Sequence, residues 1–226
     1  MTTARVLTIA PTAPADTLVV FLHGVGSNAD GFHAIAKELA PSLPHAELVI
    51  VDGFHPFDQG PSGRQWFSIR GINDANRAER VRGAGEEVSS WIDAELDRRK
   101  LGHDRLVLVG FSQGAIVSSW LSVHRTPRPR AVLMFSGLVG IASDEAPVAG
   151  VPVPVFMAHG DRDPVISVSV VDPGVRTLEA WGAQVTKHVY ANLDHRIDGR
   201  ELTDAKAFLA ATLRGSVIAG AGPRRP

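Results

Sequence analysis

The chain has no cysteine among its 226 residues. Disulfides, thiolate metal sites and cysteine nucleophiles are therefore excluded. It has no charge bias either: 23 Lys and Arg face 24 Asp and Glu. No whole-chain field selects nucleic acid or an anionic membrane as partner. Long apolar runs are missing too, the longest falling far short of the ~20 residues that cross a bilayer. The opening MTTARVLTIAPTAPADT holds no basic start followed by a long apolar stretch. Neither a secretory signal nor stable membrane insertion is expected, and a cytoplasmic location is the matching expectation. The nine histidines never fall in an H-x-x-x-H pattern with a neighbouring acid, so no metal is expected, and no cofactor.

What the chain does contain is 44% hydrophobic residues arranged in short alternating patterns. Continuous Val/Leu/Ile-rich runs at 5–9, 17–23, 47–51, 105–110, 131–136, 153–160 and 184–190 read as strands covered on both faces. Helical spacing fills 30–40, 74–100, 113–124, 174–182 and 199–213. Asp74 reads as the N-cap of the second helix, and Arg98, Arg99 and Lys100 suit the negative end of its dipole. Strands alternating with helices predict an α/β fold: a mostly parallel central sheet with helices on both faces. Residues 1–214 read as a single domain and 215–226, small and glycine-rich, as a flexible tail. The irregular segment 52–73 is long enough to be functional. The arginines at 98, 99 and 128–130 read as solvated surface.

Two glycine loops carry the chemistry. The first, Gly24-Val25-Gly26-Ser27-Asn28-Ala29, follows a strand and precedes a helix. As G-x-G-x-x-A it can be read as a dinucleotide loop, with Asp52 at the end of the next strand as the ribose partner. The second, Gly110-Phe111-Ser112-Gln113-Gly114, is G-x-S-x-G between a strand and an apolar helix, the setting of a nucleophile elbow. A serine hydroxyl needs a base, and the base an orienting acid. The expected order, Ser then Asp then His, is met by Asp161 or Asp163 after one late strand and His195 after the next. Both loops fall at the carboxyl edge of a parallel sheet, where active sites gather. The first glycine loop then gains a second use. It presents a bare backbone N–H, that of Val25, which with Gln113 N–H forms an oxyanion hole.

Plainer readings stand beside these. Ser112 could cap a helix, Asp163 could cap a turn, and Asp194 could orient His195. His23 and His159 read as structural. Trp66 and Phe67 read either as core aromatics or, with Phe54, Phe57 and Leu138, as an acyl-binding wall.

Leu22-His23-Gly24-Val25-Gly26, Trp66-Phe67, Gly110-Phe111-Ser112-Gln113-Gly114, Phe135-Ser136-Gly137, His159-Gly160-Asp161-Arg162-Asp163-Pro164-Val165 and Asp194-His195 together resemble the phospholipase/carboxylesterase family of α/β-hydrolases. The resemblance covers about residues 17 to 213. It implies an α/β-hydrolase fold without a large lid domain, Ser112 as nucleophile, Asp163 rather than Asp161 as acid, His195 as base, and Val25 and Gln113 as oxyanion donors. Where relatives read D-P-V-V-P this chain has Ser167, and where the eukaryotic thioesterases have Asp after Trp-Phe it has Ser68. The implied activity is hydrolysis of short-to-medium-chain carboxylic esters, thioesters or lysophospholipids through an acyl-enzyme, by a monomer or homodimer. The rivals are a dinucleotide-dependent oxidoreductase and a hydrolase-like binding module without catalysis.

Overall fold

The computed structural model of the protein describes residues 4–141, 145–146 and 150–214. In chain order it forms β1 (Val6–Ile9), β2 (Thr17–Leu22), α1 (Ala29–Leu39), β3 (Ala46–Val51), β4 (His55–Pro56), β5 (Arg64–Gln65), α2 (Asp74–Arg99), β6 (Leu106–Phe111), α3 (Gln113–His124), β7 (Ala131–Phe135), β8 (Val153–Gly160), α4 (Val171–Ala180), β9 (Ala183–Tyr190) and α5 (Gly199–Arg214). The tail expected at 215–226 lies outside the described residues.

Seven strands form one sheet in the order β1-β3-β2-β6-β7-β8-β9. All pairs are parallel except β1 on β3. The chain runs outward from β2 to β3, then returns through α2 to the other side of β2 at β6. The strand order therefore switches between β2 and β6, and the loops leaving their carboxyl ends are the two glycine loops. A crevice at such a switch is where an open α/β sheet binds its ligand.

Burial explains why the strand runs are unbroken hydrophobic sequence. Every residue of β2 is buried. Leu18, Val20 and Leu22 feed a core shared with α2 and α3 through Val88, Ile92, Val117 and Leu121. Val19 and Phe21 feed the opposite core with α1 and α5 through Phe32, Leu39, Ala205 and Leu209. Successive side chains point to opposite faces, so a strand covered on both sides shows no polar alternation. The sequence's continuous runs are the mark of that two-sided cover.

Local details correct several readings. The cap of α2 is Asn73, not Asp74. Its side chain accepts from Ala75 N and Asn76 N, while the Asn76 side chain accepts from Asn73 N, a reciprocal capping box. Asp74 instead sits in the first turn, with Arg77 on its carboxylate at 2.6 Å. Helix α4 starts at Val171, before Pro173, because a first-turn residue needs no N–H partner. The arginines read as surface are split. Arg99 is largely buried and donates to Glu47 and Glu95, and Arg128 is buried against the carbonyls of Trp181 and Gly182. Arg130 is half-buried; Arg98 alone stays mainly in solvent.

The start of α5 carries a stored cost. Asp198 Oδ1 accepts from Arg200 N and Glu201 N, and Glu201 Oε2 accepts from Asp198 N at 2.9 Å. Yet Glu201 is fully buried and its Oε1 meets no partner among the described residues. Burial, only partly offset by the Asp198 N–H, raises its carboxyl to about 7. Between its unfolded value of 4.5 and about 7 the folded state holds a proton that the unfolded state releases, so stability falls as pH rises through that window. Glu201→Gln, which copies the neutral acid, is expected to raise stability at pH 8 by ~1–3 kcal/mol. Denaturation midpoints at pH 8 and pH 5 check this: the gain should vanish at pH 5.

Candidate active site

The turn between β6 and α3 holds Ser112 at φ 52° and ψ −117°. A non-glycine residue there costs ~1–3 kcal/mol and persists only where its surroundings enforce it. Those surroundings are visible. A Cβ on Gly110 would lie 2.5 Å from Gly114 O, and one on Gly114 would lie 1.9 Å from Leu22 O. The two glycines let the helix start press against β2 and β6, and Ser112 N is pinned to Phe135 O at 2.9 Å. The hydroxyl makes no capping bond to the helix, which removes the reading of Ser112 as a helix cap.

Its partner is His195, in the loop after β9. Ser112 Oγ lies 2.9 Å from His195 Nε2. On the other side of the ring, His195 Nδ1 lies 2.7 Å from Asp163 Oδ2. The Asp163 side chain is fully buried and the imidazole is mostly so. Burial alone would raise the Asp163 carboxyl. The bond from His195 and the N–H groups of Ile166 and Val165 on Oδ1 outweigh it and hold the carboxyl below its usual value. The group is thus an anion placed to keep Nδ1 protonated and Nε2 free to accept from the hydroxyl.

The other acids do not compete. Asp161 Oδ1 accepts from Asn192 N at 2.7 Å, tying the loop after β8 to the loop after β9. Arg162 N on Leu193 O adds a second tie. Asp194 turns outward to Arg196. His159 is buried, with Nε2 2.8 Å from Ile166 O and 3.4 Å from Asp163 Oδ2, so it braces the turn that carries the acid. His23 is also structural. Its Nδ1–H donates to Gly24 O and its Nε2 accepts from Gly53 N, and burial holds its pKa below the ordinary value.

The first glycine loop faces the same crevice. A cavity of about 330 Å³ is lined by Val25, Ser27, Phe32, Phe111, Val165 and His195, with Ser112 in its wall. Neither Val25 N–H nor Gln113 N–H meets an acceptor among the described residues. Asp52, the expected ribose partner, instead accepts from Ala29 N at 2.7 Å, the first N–H of α1, whose N-cap is Asn28. Among the described residues no group of His, Asp and Glu is placed to hold a metal.

Trp66 and Phe67 are brought near the site but not into this cavity. Both are buried in the α2 and α3 core. Leu138 packs half-buried against the same core and does not line the cavity. The aromatic pair serves another purpose, one that nothing local in the sequence signals. Trp66 N donates to Gln113 Oε1, Gln113 Nε2 donates to Phe67 O at 2.7 Å, and the Trp66 indole donates to His23 O. Arg64 bonds both Gly26 and Ser27 through its backbone. Segment 64–67 thereby staples the loop carrying Val25 to the turn carrying Gln113. Phe32, Phe111 and Val165, none of them assigned to the acyl wall from the sequence, form the apolar lining. Val165 is 65% exposed and is a large apolar side chain at the cavity wall; its place just past Asp163-Pro164 is the signal that could have found it.

The chain has relatives among known proteins. The chain matches the family model described as Phospholipase/Carboxylesterase over residues 3–213. It is 31% identical to the esterase YpfH of Escherichia coli strain K12, across 90% of this chain and 86% of that one. It is 30% identical to the acyl-protein thioesterase 1 of Mycosarcoma maydis, across 92% and 97%. The crystal structure of esterase PE8 superposes with a TM-score of 0.83 at 27% identity, covering 92% of this chain and 99% of that one. With the sheet order, the elbow and this match over nearly its whole length, the chain belongs to the phospholipase/carboxylesterase family of α/β-hydrolases, serine hydrolases that act on ester bonds.

Proposed function

We propose that the protein hydrolyses short-to-medium-chain carboxylic esters through a Ser112–His195–Asp163 triad and a covalent acyl-enzyme. The observation that carries this is the continuous pair of contacts from Ser112 Oγ through the His195 ring to Asp163, 2.9 and 2.7 Å. His195 Nε2 takes the hydroxyl proton as Ser112 Oγ attacks the carbonyl carbon. The negative charge moves to the carbonyl oxygen, which Val25 N–H and Gln113 N–H receive. Collapse expels the alcohol, protonated by His195. Water then adds to the acyl-enzyme by the same route and releases the acid. Each oxyanion donor contributes roughly 3–4 kcal/mol to the transition state. The reaction needs no cofactor, and the substrate is a small-molecule ester.

Chain length follows from space. A volume of about 330 Å³ lies at the small end of ligand pockets, and Phe32 and Phe111 line it. A panel of 4-nitrophenyl esters from acetate to palmitate tests the reading. kcat/KM should peak at short-to-medium acyl groups; a maximum at the longest chain, or on insoluble triglyceride, overturns it. The similarity to acyl-protein thioesterase 1 makes thioesters the second substrate class to assay.

The staple gives a separate expectation. Gln113→Glu keeps an acceptor for Trp66 N–H but turns an oxygen toward Phe67 O. An unpaired buried carbonyl costs ~1–3 kcal/mol. The variant should lose that much stability at pH 8. Its kcat should fall more than its KM changes, since the affected backbone N–H acts on the transition state. Unchanged kcat and stability would remove the staple from the account.

A further inference from the structure

A second cavity lies at the opposite end of the sheet. Its volume is about 700 Å³. The catalytic crevice sits at the carboxyl ends of β2 and β6. This cavity sits at the amino ends, where Thr17 and Ala46 begin β2 and β3 and where Arg105 and Arg130 immediately precede β6 and β7. Six residues of β2 separate the two openings, roughly 20 Å at 3.3 Å per residue. No residue lines both.

Its lining is of two kinds. Leu43, Leu209 and Leu213 supply an apolar wall, the last two from the end of α5. Arg105, Arg130 and Lys206 supply three cations against the single carboxylate of Asp16. Lys206 is already engaged, by Glu38 at 2.5 Å, and Arg105 by Asp104 at 3.7 Å. Arg130 is not. Its Nη1 donates to the Thr17 hydroxyl at 2.9 Å, and that hydroxyl donates onward to Asp16. No carboxylate lies within ion-pair distance of Arg130 among the described residues. Burial, and then Arg105 beside it, press its guanidinium below the usual value, with Asp16 and Asp104 compensating only in part. A half-buried cation without a direct anion is a costly arrangement that an incoming anion relieves. The backbone holds it in place, since Arg130 N is bonded to Leu106 O at 2.8 Å.

We infer that this cavity is a second ligand site, distinct from the catalytic crevice, for a medium-chain carboxylate: the carboxylate on Arg130 with Arg105 beside it, the hydrocarbon against Leu43, Leu209 and Leu213. A guanidinium fork matches the geometry of a carboxylate, and the apolar wall selects an amphiphile over a small inorganic anion. The inference stands on this cavity alone and does not depend on the proposed catalytic roles.

The test is calorimetric titration of the full chain with sodium octanoate, with octylammonium as the charge-reversed probe and phosphate as the anion without a tail. Octanoate should bind, and neither control should. Arg130→Gln, which keeps a hydrogen-bond donor near Thr17 but removes the charge, should weaken octanoate at least ~10-fold, the usual loss for a charged hydrogen bond. It should leave kcat/KM on 4-nitrophenyl acetate unchanged. Leu213→Glu, a second variant at the cavity wall, should weaken octanoate similarly and covers the case in which Arg130→Gln does not fold. Equal octanoate affinity in wild type and the folded variants, equal binding of octylammonium, or no octanoate binding by the wild type at millimolar concentration each overturns the inference.

Discussion

Ser112→Ala is expected to lower kcat on a soluble nitrophenyl ester by roughly five to six orders of magnitude. The residual rate should be that of an intact oxyanion hole acting on water. The loss is this large because the hydroxyl is both the attacking atom and the proton donor to His195, so its removal leaves no partial mechanism. Backbone strain supplies a control. At φ 52° alanine is as ill-placed as serine, so Ser112→Ala should unfold close to wild type. Ser112→Gly should be equally inactive yet more stable by ~1 kcal/mol or more, because glycine adopts positive φ freely. Stopped assays and denaturation curves on the two variants separate catalysis from strain. An active Ser112→Ala, or an inactive Ser112→Gly with no gain in stability, contradicts the account of the elbow.

Asp163→Asn is expected to lower kcat by about 10⁴ while the fold survives. The asparagine carbonyl can still accept from Val165 N and Ile166 N, which hold the turn. What changes is the atom facing His195 Nδ1. An amide N–H there favours the tautomer with its proton on Nε2, and that nitrogen can no longer take the Ser112 proton. Asp161→Asn is the matched comparison. It keeps an oxygen for Asn192 N and should stay within a few-fold of wild type. The pair matters because the two acids are two residues apart and only one touches the imidazole. A larger loss in Asp161→Asn than in Asp163→Asn would reverse their assignments.

The sheet was legible because its strands are central. Runs such as TLVVFL at 17–22 carry no polar residue at all after Thr17, and only a strand covered on both faces permits that. The elbow was legible because its glycines fall within one short motif between a strand and a helix: Gly110 is demanded by Gly114 and Ala115 close by, although Gly114 is demanded by Leu22 on β2. What stayed hidden depends on distant chain. Glu47, which neutralises Arg99, is 52 positions away from it, so Arg99 reads as solvated until the fold is seen. Trp66 and Phe67 announce burial by their type, but their backbone bonds to the Gln113 side chain exist only once segment 64–67 arrives beside α3. The same applies to the acyl lining. The aromatic pair Trp66-Phe67 lies in the core, whereas Phe32 and Val165 reach the cavity from α1 and from the turn behind Asp163. The Asp161 tie between two loops is hidden for the same reason. Cap placement failed differently: Asn73 and Asp74 are adjacent and both suit the position, and only the reciprocal bond to Asn76 separates them.

The central claim is that Ser112 is the group that becomes acylated because His195 and Asp163 activate it. Treating the full chain with a fluorophosphonate and locating the adduct by peptide mass spectrometry tests it most directly. The account predicts a single stoichiometric adduct on Ser112, slowed at least a thousand-fold by Asp163→Asn and absent in Ser112→Ala, on the scale set by triad variants of serine hydrolases. Labelling of another serine, or undiminished labelling in either variant, would contradict it.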